Sequence, residues 1–600
     1  MDLDVNYQMN NNDTENIGEQ SGNMYTYNDN TMVPHESNAI RRSAVTKNPN
    51  MNIEINNNSQ PYAPNSYLDQ FEAKPSNIIE ESKNQNIPGY YGNKSSEERL
   101  PNNQRQIRMY PNEQYDKYGS STSTNRRNPP QKKFYTGIYI LIWCYHILMI
   151  ILIGCFYKFD FDPSTLNTKD YLYGFYKDIH LIFFVGFGML YTFLKVHRWS
   201  SIAIVLFIGI ISIEFAFFCY FLWFNIFYYS KWEKIKINFN NLACINFIST
   251  PVIITLGALI GKLSISQYFL TAIIETFFAS LNYFLCYKEI KTIDTGGSLS
   301  VHTFGATFGI MMSIVLFCKE HEFIKISNSP YLKNNYYSNI FSFIGSMYIW
   351  LFFPSFNVAT LPFNTDDNYH MVYEILRYRG IINTYLSMIG SVMSAFIVTP
   401  MIYKGQLKFE HIINASFSGG IIIAGSCAIC STPWGALLIG CIGGVVCILG
   451  LWYLQEKLKR CYLEDTLGIL HIFGIPGFLG GLLTSIFIGN FSIKRDWGDK
   501  FEIKNLFPEI TRTIPEQAGI QIASIFVTIA IAGASGIVTG FTINSMVCDK
   551  NESYFVDSEL FTDEETFPLP SWIYNRPNDI NLSSSENKLN VQEREVNIEQ

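Results

Sequence analysis

The sequence predicts an all-α membrane protein of about twelve transmembrane helices, arranged as two inverted halves between two disordered tails. Three observations carry that prediction. Hydrophobic residues make up 48% of the chain and are gathered between 134 and 547 into runs near the roughly 20 residues a bilayer requires. Only 16% of residues are charged, and they concentrate outside those runs. Finally, two stretches rhyme: Asp294-Thr-Gly-Gly-Ser-Leu-Ser-Val-His302 and Asp465-Thr-Leu-Gly-Ile-Leu-His-Ile-Phe473. Both open Asp-Thr, with Gly fourth and Leu sixth, so that His302 corresponds to Phe473.

Residues 1–133 are rich in Asn, Gln, Ser, Tyr and Pro. Such a segment cannot bury enough surface to offset its chain entropy, so it reads as a disordered cytoplasmic tail. It ends in Arg105, Arg108, Arg126, Arg127, Lys132 and Lys133, a basic flank that marks the cytoplasmic side of a first span. Met1 to Asn12 is acidic and amide-rich without an apolar core, so the first span is expected to act as its own signal.

The spans then read 134–157, 180–196, 200–229, 238–260, 266–288, 294–318, 339–363, 379–403, 410–430, 433–454, 466–490 and 517–547, least sharply bounded around 410–454. Loops expected on the cytoplasmic side carry Lys195, Arg198, Lys262, Lys319, Lys325, Lys404, Lys408, Lys457, Lys459 and Arg460. Asp160, Asp162, Asp170 and Asp178 fall outside, although Lys231, Lys234 and Lys236 do too. An even count returns the polar, acidic tail 548–600 to the cytoplasm, and a plasma-membrane location is expected.

The His302 span is then the sixth and the Phe473 span the eleventh, so they run in opposite directions. Rhyming segments of opposite direction signal inverted repeats, which place a transport site near mid-membrane. An α-helix rises about 1.5 Å per residue, so eight residues carry His302 roughly 12 Å below Asp294. An ionisable group at that depth points to function; the bland reading is an imidazole that bridges packed helices. Asp294 and Asp465 open helices and suit capping, with cation attraction as the alternative. Glu214 and Glu275 lie inside spans with no partner visible in the sequence, and structural and functional roles weigh equally. Dense glycine, including Gly440, Gly443 and Gly444, suits close helix packing, and Pro354 and Pro476 are expected to kink or open their spans.

Composition limits the alternatives. A net charge of −7 without a basic excess argues against nucleic acid as partner. The 12 cysteines are scattered, and the lone pair Cys427 and Cys430 lacks further ligands. No metal cluster, nucleophile–base pair or phosphate loop is legible, so neither an enzyme nor a cofactor is expected.

Seven stretches, in order, resemble the Rhesus (Rh) glycoprotein branch of the ammonium transporter superfamily. They are Asp178 to Gly188, Leu256 to Lys262, Asp294 to Gly309, Phe353 to Asn357, Asn414 to Gly420, Trp434 to Gly440 and Asp465 to Gly481. The resemblance spans about 134–547 and leaves both tails uncovered. It implies the ammonium transporter fold with an inverted five-plus-five repeat, an added N-terminal span, and a homotrimer with one pore per subunit. The implied substrate is ammonium at the vestibule and ammonia in the pore. The family's stacked gate phenylalanines fall on Phe247 and Phe356, its first pore histidine on His302, and Asp294 and Ser298 match vestibule and helix-end positions.

Two departures follow. The family's second pore histidine falls on Phe473. His471 lies two residues earlier, about 200° around a helix, and is expected to face away from His302, so it is at most a secondary candidate. An acidic vestibule position falls on Tyr283, and Asn246 stands where some members carry Asp, so cation attraction at the mouth should be weaker. The expected mechanism is electroneutral NH3 passage, because NH4+ carries a large desolvation cost and NH3 does not. The alternatives are a non-conducting structural or partner-binding subunit, a channel for CO2 or another small neutral gas, and a sensor that uses the tails.

Overall fold

In a bilayer every backbone N–H and C=O must be satisfied within the chain, so the apolar runs fold as helices. The structure, a computed structural model, describes residues 136–159, 170–194, 198–228, 232–317, 336–361, 367–490 and 512–545. Both tails, and with them Lys195, Lys231, Lys319, Lys325, Asp160 and Asp162 of the loops, lie outside the described residues.

Among the described residues twelve longer helices follow one another: α1 Thr136–Phe156, α2 Asp170–His180, α3 Trp199–Tyr228, α4 Phe239–Leu259, α5 Ile265–Phe284, α6 Phe304–Phe317, α7 Tyr336–Val358, α8 Asp367–Ile402, α9 Phe409–Ala424, α10 Pro433–Leu449, α11 Ile475–Gly489 and α12 Ile514–Ser545. Short π-helical segments extend several of them, notably Ser298–Thr303 before α6 and Leu470–Gly474 before α11. Ten of these units are long and apolar enough to cross a membrane. The other two occupy the second and ninth expected spans. In one, α2 continues through a π segment, a short α turn and a 3-10 turn to Phe193; the other is the 16-residue α9. The vague region around 410–454 resolves into α9, turns from Gly425 to Ile429, and α10. A two-stranded parallel sheet, β1 Tyr157–Phe159 and β2 Ile235–Ile237, ties the end of α1 to the approach of α4.

Pro354 does not open its span, because α7 runs helically through it to Val358. Pro476 follows directly on the π segment Leu470–Gly474, and the helical path runs on through it, so it does not open its span either.

Lipid tails give helices no hydrophobic reason to associate, so packing rests on small residues and hydrogen bonds. A Cβ on Gly440 of α10 would land on the Ser387 carbonyl oxygen of α8, and one on Gly390 of α8 on the Leu437 carbonyl oxygen of α10. Ser387 and Ser391 donate to the carbonyls of Gly419 and Ala415 in α9, which binds the three helices together. The mostly lipid-facing α1 is held to α3 by polar contacts. Tyr145 donates to Ile211 O at 2.8 Å, and His146 Nδ1 lies 2.6 Å from Glu214 Oε1, the partner the sequence alone did not reveal.

Gly440→Val should therefore be destabilising by about 1–3 kcal/mol, the usual cost of overpacking. Gly154 has nothing within 4 Å of a Cβ, so Gly154→Ala should be neutral. Thermal unfolding of the two variants in detergent, followed by size-exclusion chromatography, checks both.

Candidate functional site

Local chemistry fixes the start of the His302 segment. Gly297 takes φ 75°, a left-handed conformation natural only to glycine, and a Cβ there would meet the Phe247 ring at 2.6 Å. The chain then enters the π segment Ser298–Thr303. Asp294 lies ahead of this segment and reaches its first N–H groups, the capping role considered from the sequence. Its carboxylate accepts from Leu299 N at 3.1 Å, Ser300 N at 2.9 Å and Ser300 Oγ at 2.9 Å. Tyr287 donates its hydroxyl to the Asp294 carbonyl, and Gln521 clasps Ile293 through both N and O. Asp294 is buried and its oxygens are occupied by the helix end, which leaves it poorly placed to meet a cation at a mouth.

The same device recurs in the second half. Asp465 accepts from Gly468 N at 3.0 Å, Ile469 N at 2.9 Å and Leu470 N at 3.0 Å, and Gly468 takes φ 89°. Each loop is also bonded to the opposite half. Thr295 N and Gly296 N donate to the carbonyls of Gly425 and Ala424 at the end of α9. Leu467 N and Thr466 Oγ1 donate to the carbonyls of Gly257 and Ala258 at the end of α4. Ser298 Oγ adds a bridge, donating to Ile421 O at 2.8 Å and accepting from Gly425 N at 2.7 Å.

Between the loops runs a column of rings. Phe247 of α4 and Phe356 of α7 stack with centroids 5.2 Å apart and planes at 21°. Phe356 lies 6.1 Å from the His302 ring, and His302 lies 5.9 Å from Phe473 at 21°. Phe353 stacks on His302 at 5.9 Å, and Phe187 lies 6.2 Å from Phe473. Tyr283 stands edge-on to Phe247 at 6.3 Å. Phe247, Phe356, His302 and Phe473 are each at most 2% exposed. Neither His302 nitrogen has a hydrogen-bond partner. A buried imidazole normally satisfies at least one nitrogen, and this one is left open to a small polar guest.

Of the residues singled out from sequence, Phe247, Phe356, His302 and Phe473 are brought into this column. Asp294, Ser298 and Asp465 build its supports. His471 is buried but turned away: a Cβ on Gly450 would sit 2.7 Å from its Nδ1, which puts the ring against α10's π extension. Phe353 and Phe187 were not singled out. Phe353 was within reach of the sequence, since it precedes Phe356 by three residues, about one helical turn.

Helix α2 wedges between the two gate-bearing segments. Its Tyr176 ring lies 5.8 Å from Phe239 of α4 and 4.5 Å from the His180 ring. At the other end of α4, Lys262 is buried with its ammonium donating to Ala258 O at 2.7 Å and Glu464 O at 3.3 Å. Burial pulls its pKa down to about 8, against the opposing pull of Glu464 and Asp465. Burial pushes the Asp465 carboxyl up, opposed by its three backbone donors and Lys262.

The Ammonium Transporter Family profile matches residues 139–557. The chain is 30% identical over 417 residues to "Ammonium transporter Rh type B" of Oryzias latipes, covering 66% of this chain and 86% of that protein. It is 29% identical over 418 residues to "Ammonium transporter Rh type C" of Homo sapiens, covering 66% and 83%. Among solved structures, Rh50 of Nitrosomonas europaea superposes with a TM-score of 0.53 at 24% identity, covering 65% of this chain and 92% of that one.

The Lys262 environment yields a pH prediction. Its folded pKa, about 8, lies below the ordinary 10.5. Between those values the unfolded chain binds more protons, so this residue's contribution to stability should rise with pH across that window. Lys262→Met should lack that rise. Melting temperatures of both proteins against pH check it, and parallel curves would refute it.

Proposed function

Because the chain belongs to the Ammonium Transporter Family, we propose that it is a membrane channel or transporter for ammonia/ammonium, with electroneutral passage of NH3 past His302. The observation that carries this reading is the place of the buried His302 imidazole: its two nitrogens are unpartnered, as are those of His411 and His471, but it stacks between the rings of Phe353 and Phe473. A lone ammonium ion pays a large Born cost in such surroundings, whereas ammonia is small and neutral. A neutral imidazole offers one N–H donor and one acceptor nitrogen, which match the lone pair and hydrogens of NH3. Phe247 and Phe356 act as the gate on the Asp294 side, where ammonium sheds its proton. Phe473 supplies a ring but no second nitrogen, so a proton relay through paired imidazoles is lost. Passage requires the buried rings to swing aside, which makes it slow.

The transporting unit is a homotrimer in the plasma membrane, with one pore per subunit and both termini cytoplasmic. The transmembrane domain is 134–547, and the tails 1–133 and 548–600 flank it. No chemical reaction is catalysed and no cofactor is required. Cation recruitment at the mouth is weak, since Asp294 is engaged in its cap and Tyr283 and Asn246 are uncharged. A second reading, a non-conducting subunit, draws on the tight burial of Phe473 against His302 and Phe187.

Reconstitution into liposomes with an internal pH dye separates the readings. Added ammonium should alkalinise the lumen at a rate independent of an imposed membrane potential. His302→Ala should slow this about tenfold, the worth of one lost hydrogen bond, and Phe473→His should speed it. A current that follows the potential would overturn electroneutrality. A silent native protein that Phe473→His activates would establish the non-conducting reading.

A further inference from the structure

A carboxyl group lies inside the membrane core away from the ring column. Glu275 of α5 is fully buried. Its Oε1 lies 2.6 Å from Thr255 Oγ1 of α4, and its Oε2 has no partner. Thr255 Oγ1 also lies 2.8 Å from the carbonyl oxygen of Gly305, three residues beyond His302.

Among the described residues, no cation faces this carboxyl. Helices α4 and α6 contain no charged residue. The only charge on α3 is Glu214, turned to His146 of α1, and the only one on α12 is Glu516 in its first turn. The titratable group that senses Glu275 is Tyr191, whose hydroxyl is committed to Ile253 O at 2.6 Å.

Counting protons then decides the state of the group. The Gly305 carbonyl has no proton to give. Thr255 carries one hydroxyl proton but makes two contacts of hydrogen-bond length. Both are hydrogen bonds only if Thr255 donates to Gly305 O and Glu275 donates to Thr255. That requires the carboxylic acid. An ionised Glu275 would claim the threonine proton, strip the Gly305 carbonyl of this bond, and leave a bare charge in a dry interior.

We propose that Glu275 is a second intramembrane proton-binding site, separate from the pore, whose bound proton pins the pore helix through Thr255 and Gly305. Contact there is tight, since a Cβ on Gly305 would lie 2.6 Å from Pro251 O and one on Gly309 3.3 Å from Thr255 Oγ1. A cavity of about 10 Å³ borders Thr255, Thr271 and Tyr268, room for roughly one water molecule. When raised pH supplies hydroxide, loss of the Glu275 proton yields a carboxylate and a water molecule. The resulting carboxylate then holds the threonine hydroxyl, and Gly305 is unpinned.

Infrared spectroscopy of the lipid-reconstituted protein tests this without reference to transport. At neutral pH the native spectrum should contain a carboxylic-acid C=O band that Glu275→Gln removes. Thr255→Val should shift that band upward, since the acid loses its acceptor, and this arm stands if the glutamine variant fails to fold. Raising the pH until the acid band disappears should change ammonium-driven flux in the native protein. Glu275→Gln, whose amide can still donate to Thr255, should abolish that change. Carboxylate bands in place of the acid band, a band indifferent to Thr255→Val, or equal pH sensitivity of flux in Glu275→Gln would each overturn the proposal.

Discussion

The pore depends on how a membrane protein satisfies the free ends of two helices at depth. Backbone donors exposed at a helix start are costly in hydrocarbon, and no water is at hand to take them. Asp294 and Asp465 each supply oxygens to the N–H groups that follow, after a glycine turned into the left-handed region. The turns also hydrogen-bond to the ends of α9 and α4 from the opposite half. Each half therefore terminates the other's pore segment. A change at either loop alters both the helix end and the seam between the halves, and His302 and Phe473 are carried on those two segments.

The ring column adds a second constraint. Aromatic faces separated by 5.2 to 6.2 Å exclude water yet move by side-chain rotation. Within such a stack the unpartnered His302 imidazole is the one polar side chain among rings, and an environment of this kind offers little compensation for a full charge. Phe473 adds a stacked ring beside His302 but no hydrogen-bonding nitrogen. The polar chemistry of the membrane core is thereby split between His302 in the column and Glu275 beside it. Both touch the same helix, one on its pore face and the other through Thr255 at Gly305.

The sequence alone determined a good deal. Span positions follow from apolar length, since backbone satisfaction in lipid leaves little choice but a helix. The pairing of Asp294 with Asp465, and of His302 with Phe473, was legible because an inverted repeat leaves the same local code in both halves. The rotation of His471 away from the site followed from helical geometry. Only the tertiary structure decided which side chains meet. It drew Phe353 and Phe187 into the column, gave Glu214 its partner His146, and joined Glu275 to Thr255 across helices. It also showed Asp294 closed into its cap and α7 continuous through Pro354. Contacts between residues far apart in the chain depend on how helices cross, and composition and periodicity do not encode crossing.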